Sequence, residues 1–479
     1  MGPMRSYDLI IVGSGSGNSI LTDEYRDMDV AIVEPNRFGG TCLNVGCIPT
    51  KMYVYPATVA DQARDAARLG VDAAIENVDW PGMRDRIFAR IDAIATNGLQ
   101  YRQSLENVTV IQEYVHFVAP YVLETQSGER ITAPQIVLAN GSRVHMPDVP
   151  GTDLEGVHTS DTVMRLPQQP RDIVVVGGGY IAAEFCHVFQ GLGSSVTQLN
   201  RSHRLLRAHD DTIAERFARE AAEHWDLQLG WSITGIERAQ DGRLTVRAEA
   251  SDGSGELWER TADVVLLATG RVPNADTLDP GAADLDVTDA GLLAVDEHQR
   301  VLSGGEPVAG LWALGDVCSP HQLKHVANAE ARVVSHNVVH PEDLRGCDHR
   351  YVPSAVFTEP QIASVGMTER AAREWAAENG AEITVKEQDF GDVAYGWAME
   401  DRVGICKLIA DSRTGELLGA HLIGRDASNL VQPLVQGMSF GLRVHEMARG
   451  QYWIHPALAE VVENALLGLD VPGQRPDDA

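Results

Sequence analysis

Short apolar runs that end at glycine-rich turns recur along the chain. "DLIIV" precedes "GSGSGN" near the N-terminus, and "DIVVV" precedes "GGGYIAAEF" in the middle of the sequence. A short apolar run bounded by turn residues is typical of a strand buried in a parallel sheet. The pattern therefore predicts two strand–turn–helix units, with strands over 8–12 and 173–176, each followed by a helix.

Three further apolar runs end in small residues: "QIVLANGS" (135–142), "DVVLLATGRVPN" (263–274) and "GLWALGDV" (310–317). Buried parallel strands end in this way where they lead into a ligand-facing loop. From about residue 350 the pattern changes to mixed strands and helices, and "HPALAEVVENALLGL" has apolar residues at helical spacing. We predict an α/β protein with two Rossmann-like dinucleotide-binding domains and a C-terminal α+β domain.

The first glycine turn has most of a dinucleotide-binding pattern. Gly13 and Gly15 follow the first strand, and Glu34 ends the second strand, "VAIVE". Such glycines let the backbone approach a pyrophosphate, and an acid about 20 residues further on binds the ribose hydroxyls. Asn18 occupies the third glycine position, so this turn taken alone fits an ordinary strand–turn–helix equally well.

The second glycine turn suggests a phosphorylated ribose. Gly177 and Gly179 repeat the pattern, but the next strand ends in Asn200 and Arg201, with Arg207 nearby, where the first unit has an acid. A neutral residue beside arginines suits a 2′-phosphate. The alternative is a solvated basic face; behind a glycine fingerprint we favour the phosphate site. Two nucleotide sites, one of them of the NADP type, indicate a flavin and a nicotinamide.

Charge and cysteine content narrow the class of protein. The 479 residues include 68 acidic and 39 basic ones, a net charge of -29, which disfavours nucleic acid and anionic membrane surfaces as partners. No apolar run reaches membrane-spanning length, and the N-terminus lacks a signal-peptide pattern. Six mostly scattered cysteines do not form a secreted disulfide framework, so we expect a cytoplasmic protein. We expect residues 1–3 to be additions before a natural start at Met4.

Cys42 and Cys47 in "GGTCLNVGCIPTK" could form a structural bridge, half of a metal site or a redox pair. Residues five apart on a helix lie roughly 8 to 9 Å apart, whereas a disulfide needs about 4.4 to 6.8 Å between Cα atoms. A bridge therefore requires an irregular turn, which Asn44 and Gly46 permit. A zinc site needs two more ligands from a closely spaced Cys/His motif, and Cys347 and His349, which stand two apart, have no partner pair, so we disfavour zinc. We favour the redox pair.

The chain resembles the flavin-dependent pyridine nucleotide–disulfide oxidoreductases along essentially its whole length. The resemblance lies in "GGTCLNVGCIPTK", "ALGDV" and "HPALAE", and in four stretches like those of one member: "GSGSGNSI", "LKHVANAEARVV", "DVAYGWAMED" and "QYWIHPALAEVVENALLG". It implies an enzyme that uses FAD and NADPH to reduce a low-molecular-weight disulfide. It also implies an FAD domain over 1–155 and 274–346, an NADPH domain over 156–273 and a dimerisation domain over 347–479.

The resemblance also implies roles for individual residues. Cys47 would be the flavin-proximal thiol and Cys42 the one that attacks substrate, with His455 and Glu460 supplied by the other subunit of a homodimer. Lys51 and Glu184 match an ion pair beside the flavin, and Tyr180 matches a ring that covers the nicotinamide pocket. The other cofactor-binding residues implied are Gly13, Gly15, Glu34 and Asp316 for FAD, Gly177, Gly179, Arg201 and Arg207 for NADPH, and Thr41, Gly141, Gly270 and Ala327 for one or the other cofactor.

Two alternatives stay open. A dihydrolipoamide dehydrogenase would run the same centre in the opposite direction with NAD. An NAD enzyme usually has a ribose-binding acid where this chain has Asn200 and Arg201, which argues against that alternative. A non-catalytic flavoprotein redox sensor would be marked by loss of the cysteines or His455, all of which are present. We interpret Cys186 and Cys318 as packing residues. Trp397 and Met399 are of types more often found in a core than in a substrate wall, but the resemblance raises the second option, so we leave both unassigned.

Overall fold

The computed structural model describes residues 4–474, so the expectation for residues 1–3 lies outside the described part. The chain forms two compact units. The first contains the described residues up to Thr50, Pro81–His145 and Gly270–His349; the second contains Lys51–Trp80, Met146–Thr269 and the described residues from Arg350 onward.

A six-stranded sheet forms the centre of the first unit. All neighbouring pairs are parallel except the antiparallel pair at the edge formed by Arg300–Ser303. The predicted runs at 8–12, 135–142 and 310–317 are confirmed as strands of this sheet. In spatial order the strands are Arg300–Ser303, Glu306–Ala313, Gln135–Leu138, Leu9–Val12, Val30–Val33 and Val108–Ile111.

Two smaller sheets and a few helices complete the first unit. The four-stranded sheet consists of Met4–Ser6, Arg130–Thr132, Val122–Thr125 and Val115–Ala119, and the two-stranded sheet of Arg271–Pro273 and Ser142–Val144. The α-helices are Gly40–Asn44, Lys324–Val339 and Trp80–Gln103, the last of which begins with one residue of the second unit; the 3₁₀ helices are Gly17–Ser19, Asp23–Tyr25, Asp276–Leu278, Pro280–Ala283 and Gly315–Val317.

The α-helix predicted after the first glycine turn is wrong. The chain forms two 3₁₀ helices there, Gly17–Ser19 and Asp23–Tyr25. The carbonyl of Asn18 accepts a 2.7 Å hydrogen bond from Arg102, and the Asn18 side chain accepts another of 2.7 Å from the same guanidinium. An α-helix would pair that carbonyl with an amide four residues on. Side-chain donors from elsewhere in the unit therefore replace helical hydrogen bonds.

The second predicted strand–turn–helix unit is confirmed. Strand Asp172–Val176 leads into helix Tyr180–Gly191, and the next strand, Ser195–Asn200, pairs parallel to the first. The sheet has five parallel strands. In spatial order they are Val157–Thr159, Val264–Leu267, Asp172–Val176, Ser195–Asn200 and Asp226–Leu229.

Two antiparallel sheets accompany it in the second unit. One consists of Trp231–Arg238, Leu244–Ala250 and Leu257–Ala262; the other, near the C-terminus, consists of Ser354–Val356, Gln361–Gly366, Leu417–Gly424, Ile405–Asp411 and Ile383–Asp389. The remaining helices of this unit are Cys47–Asp65 (which begins in the first unit), Ala66–Leu69 (3₁₀), Ser160–Val163, Asp211–His224, Glu369–Asn379, Phe390–Asp392 (3₁₀), Ala394–Met399, Ala427–Leu430, Gln432–Ser439, Val444–Arg449 and Ala459–Leu467.

The C-terminal sheet supplies a large apolar core. Every residue of Ile405–Asp411 and Leu417–Gly424 is buried, and helix Ala459–Leu467 packs on this core through Val461, Val462 and Leu466. The helical spacing of apolar residues predicted for this last segment is therefore confirmed as a packing face.

A buried ion cluster forms within this unit around Lys407. The Lys407 side chain is 2% exposed, and its Nζ lies 2.8 Å from Asp210, 2.7 Å from Glu369 and 2.8 Å from the Thr212 hydroxyl. Burial raises the pKa of Asp210, but hydrogen bonds from Lys407 and the Glu369 amide outweigh it and leave that pKa below its usual value. Both charges are thus retained in the interior because they satisfy each other.

We expect Lys407→Met to lower the free energy of unfolding by about 3 to 5 kcal/mol, because it leaves the Asp210 carboxylate buried without its cation. Urea unfolding at neutral pH, followed by tryptophan fluorescence, measures the change. Lys386→Met removes the same charge from a half-buried lysine that has no ion pair with any described residue. Equal loss of stability in the two variants would contradict the assignment.

Candidate active site

The first glycine turn requires its glycine at position 13. Gly13 has φ +106°, and a Cβ there would lie 2.2 Å from the carbonyl oxygen of Ala139. Its amide donates a 2.8 Å hydrogen bond to Val33. Gly15 differs, because a Cβ there would meet only the Cα of Gly40, at 3.7 Å. The protein itself therefore tolerates a methyl group at 15, and the space that this group would fill is otherwise open to a ligand.

Glu34 is held at this turn at the end of strand Val30–Val33. Its carboxylate accepts hydrogen bonds from the Ser14 amide (3.0 Å), the Ser14 hydroxyl (2.7 Å) and the Asn36 amide (3.0 Å). The Ser14 hydroxyl in turn accepts from the Gly39 amide at 2.8 Å. The predicted ribose-binding acid thus lies at the glycine turn, and Ser14, which sequence reasoning missed, fixes it there.

Asp316 lies just beyond strand Glu306–Ala313 and is fixed by polar neighbours. Its carboxylate accepts a 2.6 Å hydrogen bond from the Ser142 hydroxyl, which accepts one of 2.8 Å from Arg271 Nε. Gly315, the residue before Asp316, packs against Ala327. A Cβ added at Gly315 would lie 3.3 Å from the Cβ of Ala327. A side chain at 315 would therefore require Ala327 to shift by a few tenths of an ångström.

Gly141 and Gly270 lie beside the two-stranded sheet of Ser142–Val144 and Arg271–Pro273. Both have positive φ, +69° and +121°, and neither has a neighbour within 4 Å of an added Cβ. Four of the residues predicted to bind cofactor lie at or just beyond the carboxyl ends of parallel strands of the six-stranded sheet: Gly13, Glu34, Gly141 and Asp316. Open α/β sheets bind nucleotides at this edge. This geometry fits FAD.

The two cysteines are brought together by an irregular turn. Cys42 lies in the five-residue helix Gly40–Asn44, next to the exposed Thr41, and Cys47 begins helix Cys47–Asp65. A Cβ at Gly46 would lie 3.0 Å from the Thr41 carbonyl oxygen, so the chain turns tightly there. The side chain of Cys42 hydrogen-bonds with that of Cys47. The predicted irregular turn is confirmed.

Each thiol of this pair lies close enough to affect the ionisation of the other. The pKa of Cys42 is raised well above its usual value by the hydrogen bond to Cys47, by burial and by the charge of Cys47, while the charge of Lys324 opposes these effects. A thiol next to a thiolate resists losing its own proton. Cys42 therefore needs a nearby positive charge or a base in order to act as a nucleophile.

Glu184 in the second unit is buried and paired. Both of its oxygens lie 2.7 Å from Lys51 Nζ, and the Phe357 amide donates to one of them at 3.0 Å. The same Nζ lies 4.7 Å from the centre of the Phe357 ring. The predicted Lys51–Glu184 ion pair exists, and Phe357, which the sequence did not indicate, contacts both members.

The second glycine turn leads directly into a helix. Gly177 has φ +142°, and a Cβ there would lie 2.3 Å from the carbonyl oxygen of Ala268. Gly179 precedes helix Tyr180–Gly191, and no atom lies within 4 Å of an added Cβ. Tyr180 is 42% exposed. An open glycine at the N-terminus of a three-turn helix is a suitable site for a pyrophosphate.

The arginines behind this turn differ in their contacts. Arg204 pairs with Asp211 and donates to the His209 carbonyl at 3.1 Å. Arg201 and Arg207 are exposed, and neither makes a hydrogen bond or ion pair with any residue between 4 and 474. The two predicted phosphate-binding arginines are therefore available to an anion, while Arg204 is already occupied.

His455 and Glu460 form a hydrogen-bonded pair. His455 Nδ1 lies 2.7 Å from one Glu460 oxygen, and the other oxygen accepts a 3.2 Å hydrogen bond from the Ala457 amide. The hydrogen bond from His455 is the main cause that lowers the pKa of Glu460. The His455 side chain is 71% exposed, and its Nε2 has no hydrogen-bond partner in the described chain. The carboxylate thus orients the ring and leaves Nε2 available.

The packing prediction for Cys186 and Cys318 is confirmed, and the two unassigned residues, Trp397 and Met399, differ in exposure. Cys186 and Cys318 are buried, and burial raises the pKa of each thiol. Trp397 is 66% exposed, whereas Met399 is half-buried against the C-terminal core. Gly396 takes the inward position of this short helix, because a Cβ there would lie 1.8 Å from the Phe390 carbonyl oxygen. Because the backbone at Gly396 packs against Phe390, the side chain of the neighbouring Trp397 points to solvent.

Comparison with known proteins identifies the class. The family model described as pyridine nucleotide-disulphide oxidoreductase matches residues 7–332, and its dimerisation-domain model matches residues 352–466. The chain therefore belongs to the pyridine nucleotide–disulphide oxidoreductases and is an enzyme. This confirms the predicted family and fold class, and it supports a dimer and a disulfide substrate.

Individual relatives narrow the likeness. The chain is 52% identical to mycothione reductase of Mycobacterium tuberculosis, over 97% of this chain and 100% of the relative. It is 32% identical to glutathione reductase of Burkholderia cepacia, over 95% and 97% of the two chains. The solved HOCl-induced flavoprotein disulfide reductase RclA from Escherichia coli matches with a TM-score of 0.81 and 27% identity, over 96% and 99%. Mycothione reductase is the member that the four stretches quoted above resemble.

Between residues 4 and 474, no helix is long and apolar enough to span a membrane. In the same part of the chain, no group of three or more His, Cys, Asp or Glu side chains could hold a metal ion.

We expect Gly15→Ala to abolish FAD binding while leaving the fold of the FAD-free protein intact, because the new methyl group clears the protein and fills only the ligand face. The ratio of flavin to protein absorbance measures the first effect, and the unfolding midpoint of the FAD-free protein the second. Gly13→Ala is the contrasting variant and should lose both. Normal flavin content in Gly15→Ala would show that the pyrophosphate lies elsewhere.

Proposed function

We propose that the protein is an NADPH-dependent reductase of mycothiol disulfide that uses FAD and a Cys42–Cys47 redox pair and works as a homodimer in the cytoplasm. The observation that carries this proposal is the 52% identity to mycothione reductase over 97% of the chain. The hydrogen-bonded cysteines supply the reducing centre that such a reaction needs. The cytoplasmic location agrees with the scattered cysteines.

The glycine turns and their acids and arginines are the cofactor-binding groups. Gly13, Gly15, Glu34 and Asp316 would hold FAD, and Gly177, Gly179, Arg201 and Arg207 would hold NADPH. FAD, when bound, supplies a two-electron carrier between the nicotinamide and the cysteine pair. The unpaired Arg201 and Arg207 support NADPH over NADH, because a guanidinium binds a phosphate through charge-assisted hydrogen bonds.

The reduced cysteine pair performs the disulfide chemistry. The Cys42 thiolate attacks one sulfur of the substrate, so that a Cys42–substrate bond forms as the substrate disulfide breaks. The departing thiolate takes a proton from His455. The Cys47 thiolate then attacks the Cys42 sulfur, which forms the Cys42–Cys47 disulfide and releases the second product as a thiolate that takes its proton from water. Each cycle delivers two electrons and two protons to two product thiols.

The His455–Glu460 pair fits the proton-transfer role. Glu460 stays ionised because its pKa is lowered, so it keeps accepting the hydrogen of Nδ1. Nε2 is left to exchange a proton with a sulfur, and imidazole is the side chain suited to this near neutral pH. The raised pKa of Cys42 makes such a base necessary.

The surroundings of His455 support its donation to a second subunit. Tyr452 and Ile454, which precede it, are 104% and 75% exposed. Large apolar side chains left in water beside a polar functional group are typical of a protein–protein interface. The dimerisation-domain match at residues 352–466 includes this segment. We therefore propose that each site takes Cys42 and Cys47 from one subunit and His455 and Glu460 from the other.

Turnover with defined substrates tests the function. NADPH oxidation should be fast with mycothiol disulfide and slow with glutathione and lipoamide disulfides, and NADH should be a poor reductant. Absorbance at about 340 nm follows the nicotinamide. The Arg201→Ala/Arg207→Ala double variant should raise KM for NADPH at least about tenfold and leave KM for NADH unchanged, because it removes charge-assisted hydrogen bonds to the 2′-phosphate. Preference for lipoamide with NADH would overturn both assignments.

Mixed dimers test the shared site. Cys42→Ser and His455→Ala homodimers should both lose disulfide reduction while keeping FAD that NADPH can reduce. A heterodimer of the two variants retains one Cys42 facing one His455 if His455 acts across the interface. Its activity per dimer should then recover to about half that of the unmodified protein, since one of two independent sites is complete.

The two variants are expressed together with different affinity tags, and the doubly tagged dimer is isolated and assayed. If the histidine serves its own subunit, neither site of the heterodimer is complete. A heterodimer as inactive as its parents would therefore contradict the exchange of His455 between subunits.

A further inference from the structure

Lys324 is a charged residue that the sequence analysis did not assign. It begins helix Lys324–Val339 in the first unit and is half-buried. Its Nζ donates a 2.8 Å hydrogen bond to the hydroxyl of Ser16, and that hydroxyl donates to Asn328 at 3.1 Å, one helical turn after Lys324. The ammonium is thus fixed at the first glycine turn by neutral groups.

Lys324 has no carboxylate partner within ion-pair distance in the part of the chain that the structure describes. Lys51 and Lys407, by comparison, pair with Glu184 and Asp210. With 68 acidic residues against 39 basic ones, acids are abundant in this chain. A partly buried cation without an anion has lost hydration and gained no ion pair in return. Lys386 is also half-buried and without an ion pair among the described residues, so the fixed place of Lys324 at the glycine turn is what makes its charge available to a functional anion.

The glycine turn that holds Lys324 packs directly against the segment that carries Cys42. A Cβ at Gly40 would lie 2.7 Å from the Cα of Gly15, and the Gly39 amide donates to the Ser14 hydroxyl at 2.8 Å. Helix Gly40–Asn44 starts from this contact. The titratable groups that act on Cys42 are Cys47, across the turn, and Lys324. Lys324 is the one that carries a positive charge.

We propose that Lys324 is a further residue of the reducing centre, whose ammonium stabilises negative charge on the Cys42 sulfur when that sulfur attacks a disulfide. The inference rests on the proposed role of Cys42 as the nucleophile and deepens it. Lys324 acts on the reaction through Cys42 and is therefore a positioning residue. An anion of a bound cofactor near the glycine turn is the competing explanation for the unpaired charge, and the experiment separates the two.

The test is the pH dependence of Cys42 alkylation in the reduced, FAD-loaded protein. The Cys42 sulfur displaces iodide from iodoacetamide as the thiolate, and mass spectrometry of the Cys42 peptide gives the rate without any turnover assay. Lys324→Met should raise the pH midpoint by roughly half to one unit, so that alkylation at pH 7 slows about three- to tenfold. Lys324→Arg, which keeps the charge, should stay close to the unmodified protein.

Lys386→Met is the matched control, because it removes one positive charge from another half-buried lysine without an ion pair in the described chain. Its alkylation profile should not move. An unshifted profile in Lys324→Met would overturn the proposal, as would equal shifts in Lys324→Met and Lys324→Arg, which would mean that packing and not charge matters.

Loss of FAD from Lys324→Met calls for a second variant. Ser16→Ala keeps the ammonium and removes its 2.8 Å anchor, so it should move the Cys42 profile in the same direction by a smaller amount. If FAD is lost from Lys324→Met and the Cys42 profile of Ser16→Ala does not move, Lys324 serves the cofactor and the proposal is overturned. Because every readout is alkylation of a reduced thiol, a wrong substrate assignment would leave these outcomes unchanged.

Discussion

The backbone contacts of one glycine turn hold the first unit together at its functional edge. Gly13 comes so close to Ala139 that a Cβ would lie 2.2 Å from the carbonyl oxygen, and Gly40 comes similarly close to Gly15. Side chains cannot occupy these positions, so the turn is built from backbone and small polar groups. The hydroxyls of Ser14 and Ser16 then bind the groups around it. Glu34, the Cys42 segment and Lys324 all depend on this turn for their position.

Two buried carboxylates in this protein are paired with lysines, whereas three basic side chains near the proposed sites have no acid partner in the described residues. In a chain with a net charge of -29, the buried carboxylates Glu184 and Asp210 each have a lysine at 2.7 to 2.8 Å. Arg201, Arg207 and Lys324 differ, since they have no acid partner in the described residues. Unpaired cations are costly where acids are plentiful, and these three lie behind a nucleotide-binding turn or beside the cysteine pair. We propose that these charges serve anions that arrive with cofactors or arise on sulfur.

The Cys42–Cys47 pair and the His455–Glu460 pair have complementary acid–base properties. Cys42 resists ionisation because Cys47 and burial oppose it, whereas His455 has one nitrogen fixed by Glu460 and the other left open. A thiol that does not ionise easily and an imidazole that is oriented but unoccupied form a workable acid–base couple once they meet. The exposed Tyr452 and Ile454 suggest that a second subunit brings this about.

Local sequence patterns determined a large share of this protein. The apolar runs that end in glycines identified the parallel strands around both turns, because burial and backbone approach leave a signature in neighbouring residues. The irregular turn between Cys42 and Cys47 was also predictable from neighbouring residues, because the spacing of the cysteines and the residues between them indicate it. One local prediction failed: the helix after the first turn, where Arg102 donates a hydrogen bond to the carbonyl of Asn18.

Only the tertiary structure decided which polar groups meet across long sequence separations. Ser14 binds Glu34 and Gly39, Ser142 joins Asp316 to Arg271, and Phe357 contacts both Lys51 and Glu184. No local pattern marks a serine as an anchor or a lysine as unpaired, since these properties depend on neighbours that folding brings from far along the chain. The sequence by itself therefore determined the strands, turns and reactive residue types. Tertiary packing decided which charges are neutralised and which, like that of Lys324, stay available.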